Sequence, residues 1–259
     1  MRTEKQNTIK EFLDEKAFLY NNKNFIETDP IQIPHLFTKK EDIEIAGFLA
    51  ATIAWGQRKS IINNAKQLVT WMDMSPHEFI VGAKAKDFAL FKKFVHRTFN
   101  GEDCVFFLQS LQNLYKKFTD LENAFSYGLT AKDVDSFTAI TNFRNNFFSI
   151  KHPSRTEKHV SNPTNGSSAK RLCMYLRWMV RKDQTGVDFG IWDSISPSNL
   201  YLPLDVHTGN ISRKLGLLQR KQNDWKAVDE ITQMLKKFDP KDPIRYDFAL
   251  FGLGAFEKF

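Results

Sequence analysis

The chain has 259 residues, 42% hydrophobic and 26% charged, a balance that is typical of an ordinary globular protein with a buried core. Its formal net charge of +7 favours a polyanionic partner such as DNA, RNA or an anionic membrane, although charge alone is weak support. Cys104 and Cys173 form no CxxC pair, the N-terminus lacks the apolar stretch of a signal peptide, and no apolar run is long enough to span a bilayer. These features argue against disulfide-rich secreted and membrane-spanning proteins, and we expect a cytoplasmic protein with reduced thiols.

Apolar residues recur with helical periodicity along most of the chain, and we find no alternating strands separated by hairpin turns. The sequence therefore predicts an all-α fold. In chain order, helices are predicted within residues 8–22, 39–57, 60–72, 102–118, 135–150, 168–182, 206–216, 224–238 and 242–256.

Two polar segments separate the predicted helices in the second half of the chain. Residues 151–170 are punctuated by Pro153, Pro163 and Gly166, which predicts a surface loop, or a short helix followed by a turn. Residues 182–199 form a second polar connector, whose role the sequence leaves open.

The helix predicted between these segments has two different faces. Its apolar side chains fall on one side, whereas Lys170, Arg177 and Arg181 fall along a stripe on the other side. The pattern predicts a basic face. The simplest interpretation is a solvated surface that keeps the protein soluble, and contact with a polyanion is the alternative.

The stretch LPLDVHTGNISRKLGL, residues 202–217, places a carboxylate after an apolar approach stiffened by proline. Asp205 directly precedes a predicted helix that Gly216 can end, so its simplest role is an N-cap. Chemistry becomes attractive if Asp205 and Lys170 meet. A neutral amine can attack an electrophilic carbon, and a nearby carboxylate can move protons or stabilise a cation. Composition and spacing do not show whether the two residues meet.

The same stretch resembles the aspartate segment of the helix-hairpin-helix DNA glycosylases, the superfamily of endonuclease III, the adenine glycosylase and the 8-oxoguanine glycosylase. Asp205 matches the catalytic aspartate of that superfamily, and His207 matches a histidine two residues later. NGSSAKRLCMYLRWMV resembles the hairpin and the helix after it. Gly166 matches the first hairpin glycine, and Lys170 matches the lysine that bifunctional members use as a nucleophile.

Two further segments agree with the superfamily in chain order. EIAGFLAATIAWGQRKSIINNAKQLV resembles its early helix pair, in which Gln57 matches a glutamine that probes the DNA duplex. YDFALFGLGAF resembles the late helix of the adenine glycosylase branch. The resemblance runs from about residue 42 to the last residue, weakly between 75 and 150, and it suggests a separate bacterial branch of the superfamily.

The chain departs from the superfamily pattern at three places. Ser168 stands where the second hairpin glycine is expected, and no Leu-Pro pair precedes Gly166. The spacing between Lys170 and Asp205 is about twice the usual one, which marks residues 182–199 as an insertion. The four-cysteine loop that follows the late helix in several members is missing, so we expect no cofactor, no metal and no iron–sulfur cluster.

The resemblance implies a two-lobed helical fold with a helix-hairpin-helix element. Residues 42–200 are expected to form one lobe, which contains the hairpin-like segment 158–182. Residues 1–41 and 201–259 are expected to form the other lobe, and the two together make a single globular unit.

The implied function is base excision, in which a damaged base is flipped out of the duplex at a cost of a few kcal/mol. Asp205 would stabilise the developing sugar cation or assist the nucleophile. A neutral Lys170 would attack C1′, form a Schiff base and lead to strand cleavage, whereas a protonated Lys170 would leave the attack to water. The expected partner of a monomeric protein is double-stranded DNA with a damaged base or an abasic site. The residues expected to bind this DNA are Gln57, Gly166, Ser168, Arg177, Arg181, His207 and Arg213.

Simpler roles remain open for several of these residues. Gln57 could be only a polar helix terminus, and a locally bonded His207 is the favoured interpretation. Trp178 and Trp192 are expected to pack in the interior, as is Trp55, rather than stack on bases. His96 and Arg97 could touch phosphate, but a basic surface patch is the simpler interpretation. These residues alone therefore do not prove a DNA site.

The main alternative function is a non-enzymatic protein that recognises nucleic-acid structure on the same scaffold. The altered hairpin and the long insertion favour it. An enzyme of another class, acting on RNA or on a nucleotide, is a third interpretation and would have a narrower cleft. A purely structural helical protein agrees least with the matches at Lys170 and Asp205.

Overall fold

In a computed structural model, the described residues are 4–130, 134–257 and 259. Over these ranges the chain is helical and has no β-strand, which confirms the predicted all-α class, and none of its helices is long and apolar enough to cross a bilayer. The α-helices are, in chain order, α1 (Glu4–Tyr20), α2 (Asn24–Thr28), α3 (Lys40–Thr52), α4 (Arg58–Thr70), α5 (Pro76–Gly82), α6 (Gly101–Lys117), α7 (Leu121–Ser126), α8 (Ser136–Phe147), α9 (Lys170–Val180), α10 (Val206–Lys214), α11 (Trp225–Phe238) and α12 (Tyr246–Gly252).

The periodicity located the long helices and missed three of the short ones. Each predicted segment overlaps an α-helix, whereas α2, α5 and α7, each of at most seven residues, lie outside the predicted segments. The helix predicted over 39–57 ends at Thr52, before the turn that contains Gly56 with φ +105°. Glycine adopts this backbone conformation readily, whereas other residues rarely do.

The described residues divide into two compact units. The terminal unit comprises those within 1–25, 131–137 and 162–259, and the middle unit those within 26–130 and 138–161. This division differs from the expected lobes of 42–200 and of 1–41 with 201–259, because residues 26–41 belong to the middle unit and residues 162–200 to the terminal unit. The reason is a buried ion pair in which Arg177 of α9 donates to Asp247 of α12.

The middle unit has a core rich in aromatic rings, in a chain that contains 24 phenylalanines. The rings of Phe107 and Phe147 lie 4.8 Å apart between centroids, and those of Phe125 and Phe143 lie 4.0 Å apart. All four side chains are fully buried. Aromatic pairs with centroids about 4.5–7 Å apart contribute about 0.5–1.5 kcal/mol beyond the burial of their area, so the Phe107–Phe147 pair adds to the stability of this core.

In the terminal unit, α1 packs closely against α12. Leu13 and Ala17 of α1 are buried, and the Tyr246 hydroxyl donates to Asp14 Oδ1 at 2.8 Å. A β-carbon added at Gly252 would lie 2.1 Å from Cδ2 of Tyr20, well inside van der Waals contact. Glycine at this position therefore lets the aromatic ring lie directly on the α12 backbone.

We predict that Gly252→Ala destabilises the protein by about 1–3 kcal/mol, the usual cost of overpacking a core. The added methyl must displace the Tyr20 ring or separate α1 from α12. Chemical denaturation followed by circular dichroism measures the change in the free energy of unfolding.

Gly82→Ala is the matched control, because Gly82 also lies in a helix but a β-carbon there would have no neighbour within 4 Å. Its stability should be unchanged or slightly higher, since alanine has the better helix propensity. Equal stabilities for the two variants would contradict the proposed close packing at Gly252.

Candidate catalytic site

Asp205 is the N-cap of α10, as its position before the predicted helix suggested. Its backbone is extended, and its Oδ1 accepts a hydrogen bond from the Thr208 N–H at 2.9 Å. The three residues before Asp205, 202–204, are buried, and the Leu202 N–H donates to Thr232 Oγ1 at 3.1 Å. The proline-stiffened segment is thus anchored in the interior, and it fixes the place where the carboxylate emerges.

Lys170 is the first residue of α9 and follows a tight turn. Gly166 and Ala169 both have left-handed backbones, with φ of +83° and +45°. For a residue with a β-carbon this costs roughly 1–2 kcal/mol. Ser167 Oγ accepts the Ala169 N–H at 3.2 Å, and the Gly166 carbonyl accepts the Trp225 N–H at 3.0 Å. These bonds tie the turn to the start of α11 and direct the chain into α9.

The turn and the N-cap bring Lys170 and Asp205 together. The Lys170 Nζ lies 3.9 Å from the Asp205 Oδ2 and 3.7 Å from the Met174 Sδ. The two charged side chains are 27% and 25% exposed, so they are accessible to a substrate but partly desolvated. The amine and the carboxylate thus form an ion pair whose N–O distance is slightly longer than that of a hydrogen bond. Contacts between catalytic groups are often this long without substrate and shorten when substrate binds.

A buried carboxylate, Asp247 of α12, interacts electrostatically with both members of this pair. Burial raises the pKa of Asp247 to about 6, although the Arg177 guanidinium opposes the increase. The negative charge of Asp205 raises this pKa further, and the positive charge of Lys170 lowers it. The charge of Asp247 is therefore coupled to the charges in the site.

Arg177 and Arg181 do not lie on an exposed basic face. They are only 4% and 3% exposed. Arg177 donates through Nε to Asp188 at 3.2 Å and through Nη1 to Asp247. Arg181 donates through Nη1 to Asp188 at 3.0 Å and through Nε to Asp242 at 2.9 Å. The prediction of an exposed stripe is wrong for these two arginines, and neither guanidinium is available to a phosphate.

The polar connector 182–199 is the physical reason for this burial. The N–H groups of Phe189 and Ile191 each donate at 2.8 Å, to the carbonyls of Trp178 and Met179. The connector therefore covers the last turn of α9, whose carbonyls lack partners within the helix, and it supplies a buried aspartate to the two arginines. Arginines four residues apart, followed by an acidic connector, were the sequence signal for this arrangement.

The hairpin-like segment matches the expectation only in part. The turn before α9 follows a short 3-10 segment, Pro163–Asn165, rather than an α-helix. Gly166 is exposed and left-handed, whereas Ser168 is half-buried and has a negative φ. The second residue of this turn with a left-handed backbone is Ala169, one residue after the position at which the second hairpin glycine was expected. Binding of phosphate by Gly166 and Ser168 stays a prediction.

The other two residues of this unit that were expected to bind DNA, His207 and Arg213, lie on α10. They differ in how accessible their side chains are to a ligand. Arg213 donates to the Arg220 carbonyl and to Asn223 Oδ1, both at 2.7 Å, and Asn223 donates in turn to the Asp205 carbonyl at 3.1 Å. Arg213 thus supports the start of α10, and these bonds occupy much of the guanidinium. His207 is exposed. It lines a cavity of about 360 Å³ with Asn210, Ile211, Arg213, Lys214, Gly254 and Phe259.

Gln57 belongs to the middle unit and is exposed at the N-cap of α4, where its side chain makes no capping bond. The simpler interpretation, a polar helix terminus, describes its position, and contact with DNA stays a prediction. Trp178 and Trp192 are buried, as expected for packing residues, whereas Trp55 is half-buried.

The structure shows no candidate metal centre within the described ranges, in which no three His, Cys, Asp or Glu residues are grouped to hold an ion. Cys104 and Cys173 are free and buried, and burial raises the pKa of both thiols. Such thiols stay protonated and are poor ligands and nucleophiles.

Comparison with models of protein families gives a match over most of the chain. The model of the family DUF2400, described as a protein of unknown function, matches residues 29–256, which include Gln57, Lys170 and Asp205. No curated protein and no solved structure matches the chain.

We predict that Arg177→Met destabilises the protein by about 3–5 kcal/mol, because it leaves Asp247 buried without its counter-charge and leaves Asp188 with Arg181 alone. Chemical denaturation is the measurement. Lys237→Met is the control, since Lys237 is an exposed cation on α11, and it should change stability by less than about 0.5 kcal/mol. A variant Arg177→Met that is as stable as the control would contradict the buried network.

We also predict a pH dependence that Asp247→Asn removes. The pKa of Asp247 is higher in the folded protein, about 6, than its ordinary value of 3.8. Its contribution to stability is therefore fully present below the ordinary value and is lost as the pH rises through about 6.

The free energy of unfolding of the wild type should accordingly fall relative to that of Asp247→Asn between about pH 4 and pH 6. Carboxyls with lowered pKa values, such as Asp183 with a pKa of about 2, change the stability mainly below about pH 4. They are present in both proteins, so their effect cancels in the comparison. Parallel stability curves across the window would contradict the assignment to Asp247.

Proposed function

The chain belongs to the DUF2400 family, and we propose that it is a DNA glycosylase that removes damaged bases, with Lys170 and Asp205 as the catalytic pair. The observation that carries the proposal is the distance of 3.9 Å between the Lys170 Nζ and the Asp205 Oδ2. The two residues are far apart in sequence, and in the resemblance to the helix-hairpin-helix glycosylases each matches a catalytic residue. We propose a fold related to those enzymes as well.

The geometry agrees with the chemistry that such an enzyme needs. One carboxylate oxygen of Asp205 is used for the N-cap, and the other faces Lys170. A fixed carboxylate next to the sugar stabilises positive charge that develops as the glycosidic bond breaks. Because the N-cap holds the carboxylate in place before substrate arrives, no reorganisation is required during the reaction.

Lys170 would then act in one of two ways. After losing its proton to a base such as Asp205, the amine attacks C1′, and the electron pair of the C1′–N bond leaves with the damaged base. Loss of a further proton from nitrogen and opening of the sugar ring give a Schiff base, from which β-elimination cuts the strand. If the ammonium keeps its proton, water attacks C1′ and only the base is released.

The experiment is borohydride trapping on labelled duplexes that carry an abasic site, 8-oxoguanine, uracil or an oxidised pyrimidine. The wild type is compared with Lys170→Met, which keeps most of the length of the side chain but has no amine, and with Asp205→Asn. Asparagine is as good an N-cap as aspartate, so Asp205→Asn removes the charge and keeps the start of α10. Lys226→Met on α11 is the control for an exposed lysine.

We expect a covalent adduct with the wild type and with Lys226→Met, and its loss in Lys170→Met. Equal adducts in all proteins would exclude Lys170 as the nucleophile. Base release revealed by alkali, without an adduct but dependent on Asp205, would identify a glycosylase without lyase activity. DNA binding with neither adduct nor release would overturn the enzymatic proposal and favour a protein that only recognises nucleic-acid structure.

A further inference from the structure

A tight turn in the middle unit places one arginine in an unusual backbone conformation. His96 and Phe99 exchange backbone hydrogen bonds of 2.8 and 2.9 Å, so Arg97 and Thr98 form the tip of a two-residue turn. Arg97 has φ of +54°, in the left-handed region that favours glycine. An arginine there costs roughly 1–2 kcal/mol, and such strain is concentrated at functional sites.

The side chain of Arg97 lies on a second turn, the one that ends in Gln57. A β-carbon added at Gly56 would lie 3.0 Å from Nη1 and 3.2 Å from Cδ of Arg97. The absence of a side chain at Gly56 therefore leaves the space in which the guanidinium rests. This contact puts the positive charge of Arg97 next to the exposed Gln57.

His96 links the two turns from below the surface. It is only 3% exposed, which corrects its assignment to a surface patch. Its Nε2 lies 3.1 Å from the Trp55 carbonyl, and its Nδ1 lies 2.8 Å from Asn64 Nδ2. Because a carbonyl can only accept, Nε2 carries the proton. The Trp55 ring packs edge-on against His96 and nearly parallel to His159.

Arg155 supports the first turn from its other end. It donates to the Thr98 carbonyl at 3.2 Å and to the buried carboxylate of Asp103 at 2.7 Å. Asp103 also completes the capping box at the start of α6 with Asn100. The tip that carries Arg97 is therefore held by bonds to residues whose own positions are fixed.

Arg97 itself has no such partner. Among the residues that the structure describes, its exposed guanidinium makes no hydrogen bond and no ion pair. This contrasts with Arg177 and Arg181, whose charges are neutralised within the protein. An unpaired guanidinium presents a fork of N–H donors that matches the oxygens of a phosphate.

We propose that the turns 55–57 and 96–99 form one preorganised surface on which Arg97 binds a backbone phosphate of duplex DNA directly beside Gln57. The inference rests on the proposed function, since it takes duplex DNA as the partner. In this proposal, the contact between Arg97 and one phosphate supplies the affinity of the surface for DNA. The strained backbone at Arg97 then serves to present the guanidinium to that phosphate.

The experiment is a salt titration of DNA binding, followed by fluorescence anisotropy on a duplex with a tetrahydrofuran abasic-site analogue, which the enzyme cannot process. Arg97→Gln, Arg97→Lys and the wild type are compared at several salt concentrations. Loss of one phosphate contact should make the slope of log K against log salt less negative by about 0.9. It should also weaken binding at low salt by roughly tenfold.

Lys116→Gln is the matched control for a general loss of charge. Lys116 is exposed near the end of α6, roughly 20 Å along the helix axis from the turn at its start. Lys116→Gln should leave the slope of log K against log salt unchanged. Arg97→Lys should retain most of the wild-type slope because it keeps the positive charge. Arg97→Asn, which tolerates a left-handed backbone, replaces Arg97→Gln if the latter fails to fold by circular dichroism.

The outcomes separate this inference from the proposed function. If the wild type binds the duplex and Arg97→Gln has the same slope, or Lys116→Gln loses as much slope, the phosphate site is overturned and the glycosylase proposal stands. If the wild type binds no duplex, both are overturned. A changed slope in Arg97→Gln, with activity still dependent on Lys170, supports both.

Discussion

The buried charge of Arg177 is the constraint on which the arrangement of the terminal unit depends. A guanidinium removed from water must be surrounded by carboxylates, because an unpaired buried charge costs several kcal/mol. Asp188 comes from the connector and Asp247 from α12, so one side chain of α9 holds both segments. Lys170 begins the same helix. The position of the proposed nucleophile is thus linked to the ion network seven residues further along.

Asp205 shows how one residue satisfies a structural and a chemical requirement together. One oxygen closes the first turn of α10, and the other faces the Lys170 amine. Because the cap and the candidate catalytic contact use different oxygens, neither excludes the other. The amide of Asn223 bonds to the carbonyl of the same residue, and Arg213 orients that amide. An arginine first interpreted as a DNA contact therefore supports the site from within.

In the middle unit, two arginines close to one turn have different roles. Arg155 is committed to Asp103 and to the Thr98 carbonyl, and it stabilises a turn. Arg97 is carried at the tip of that turn, exposed, on a strained backbone. A net charge of +7 does not distinguish these roles, since both side chains count equally in it. Only the partners of each guanidinium show which charges are neutralised internally and which are open to a polyanion.

The sequence by itself determined the helical class, the positions of the long helices and the N-cap at Asp205, because these depend on periodicity and on short local patterns. Its resemblance to the helix-hairpin-helix glycosylases implied the candidate pair of Lys170 and Asp205. The tertiary structure decided which residues meet. The contact between Lys170 and Asp205, the burial of Arg177 and the packing of Arg97 on Gly56 each join segments that are distant in the chain. The same basic residue is a surface charge or a buried one according to whether a carboxylate from elsewhere reaches it, and no local pattern contains that information.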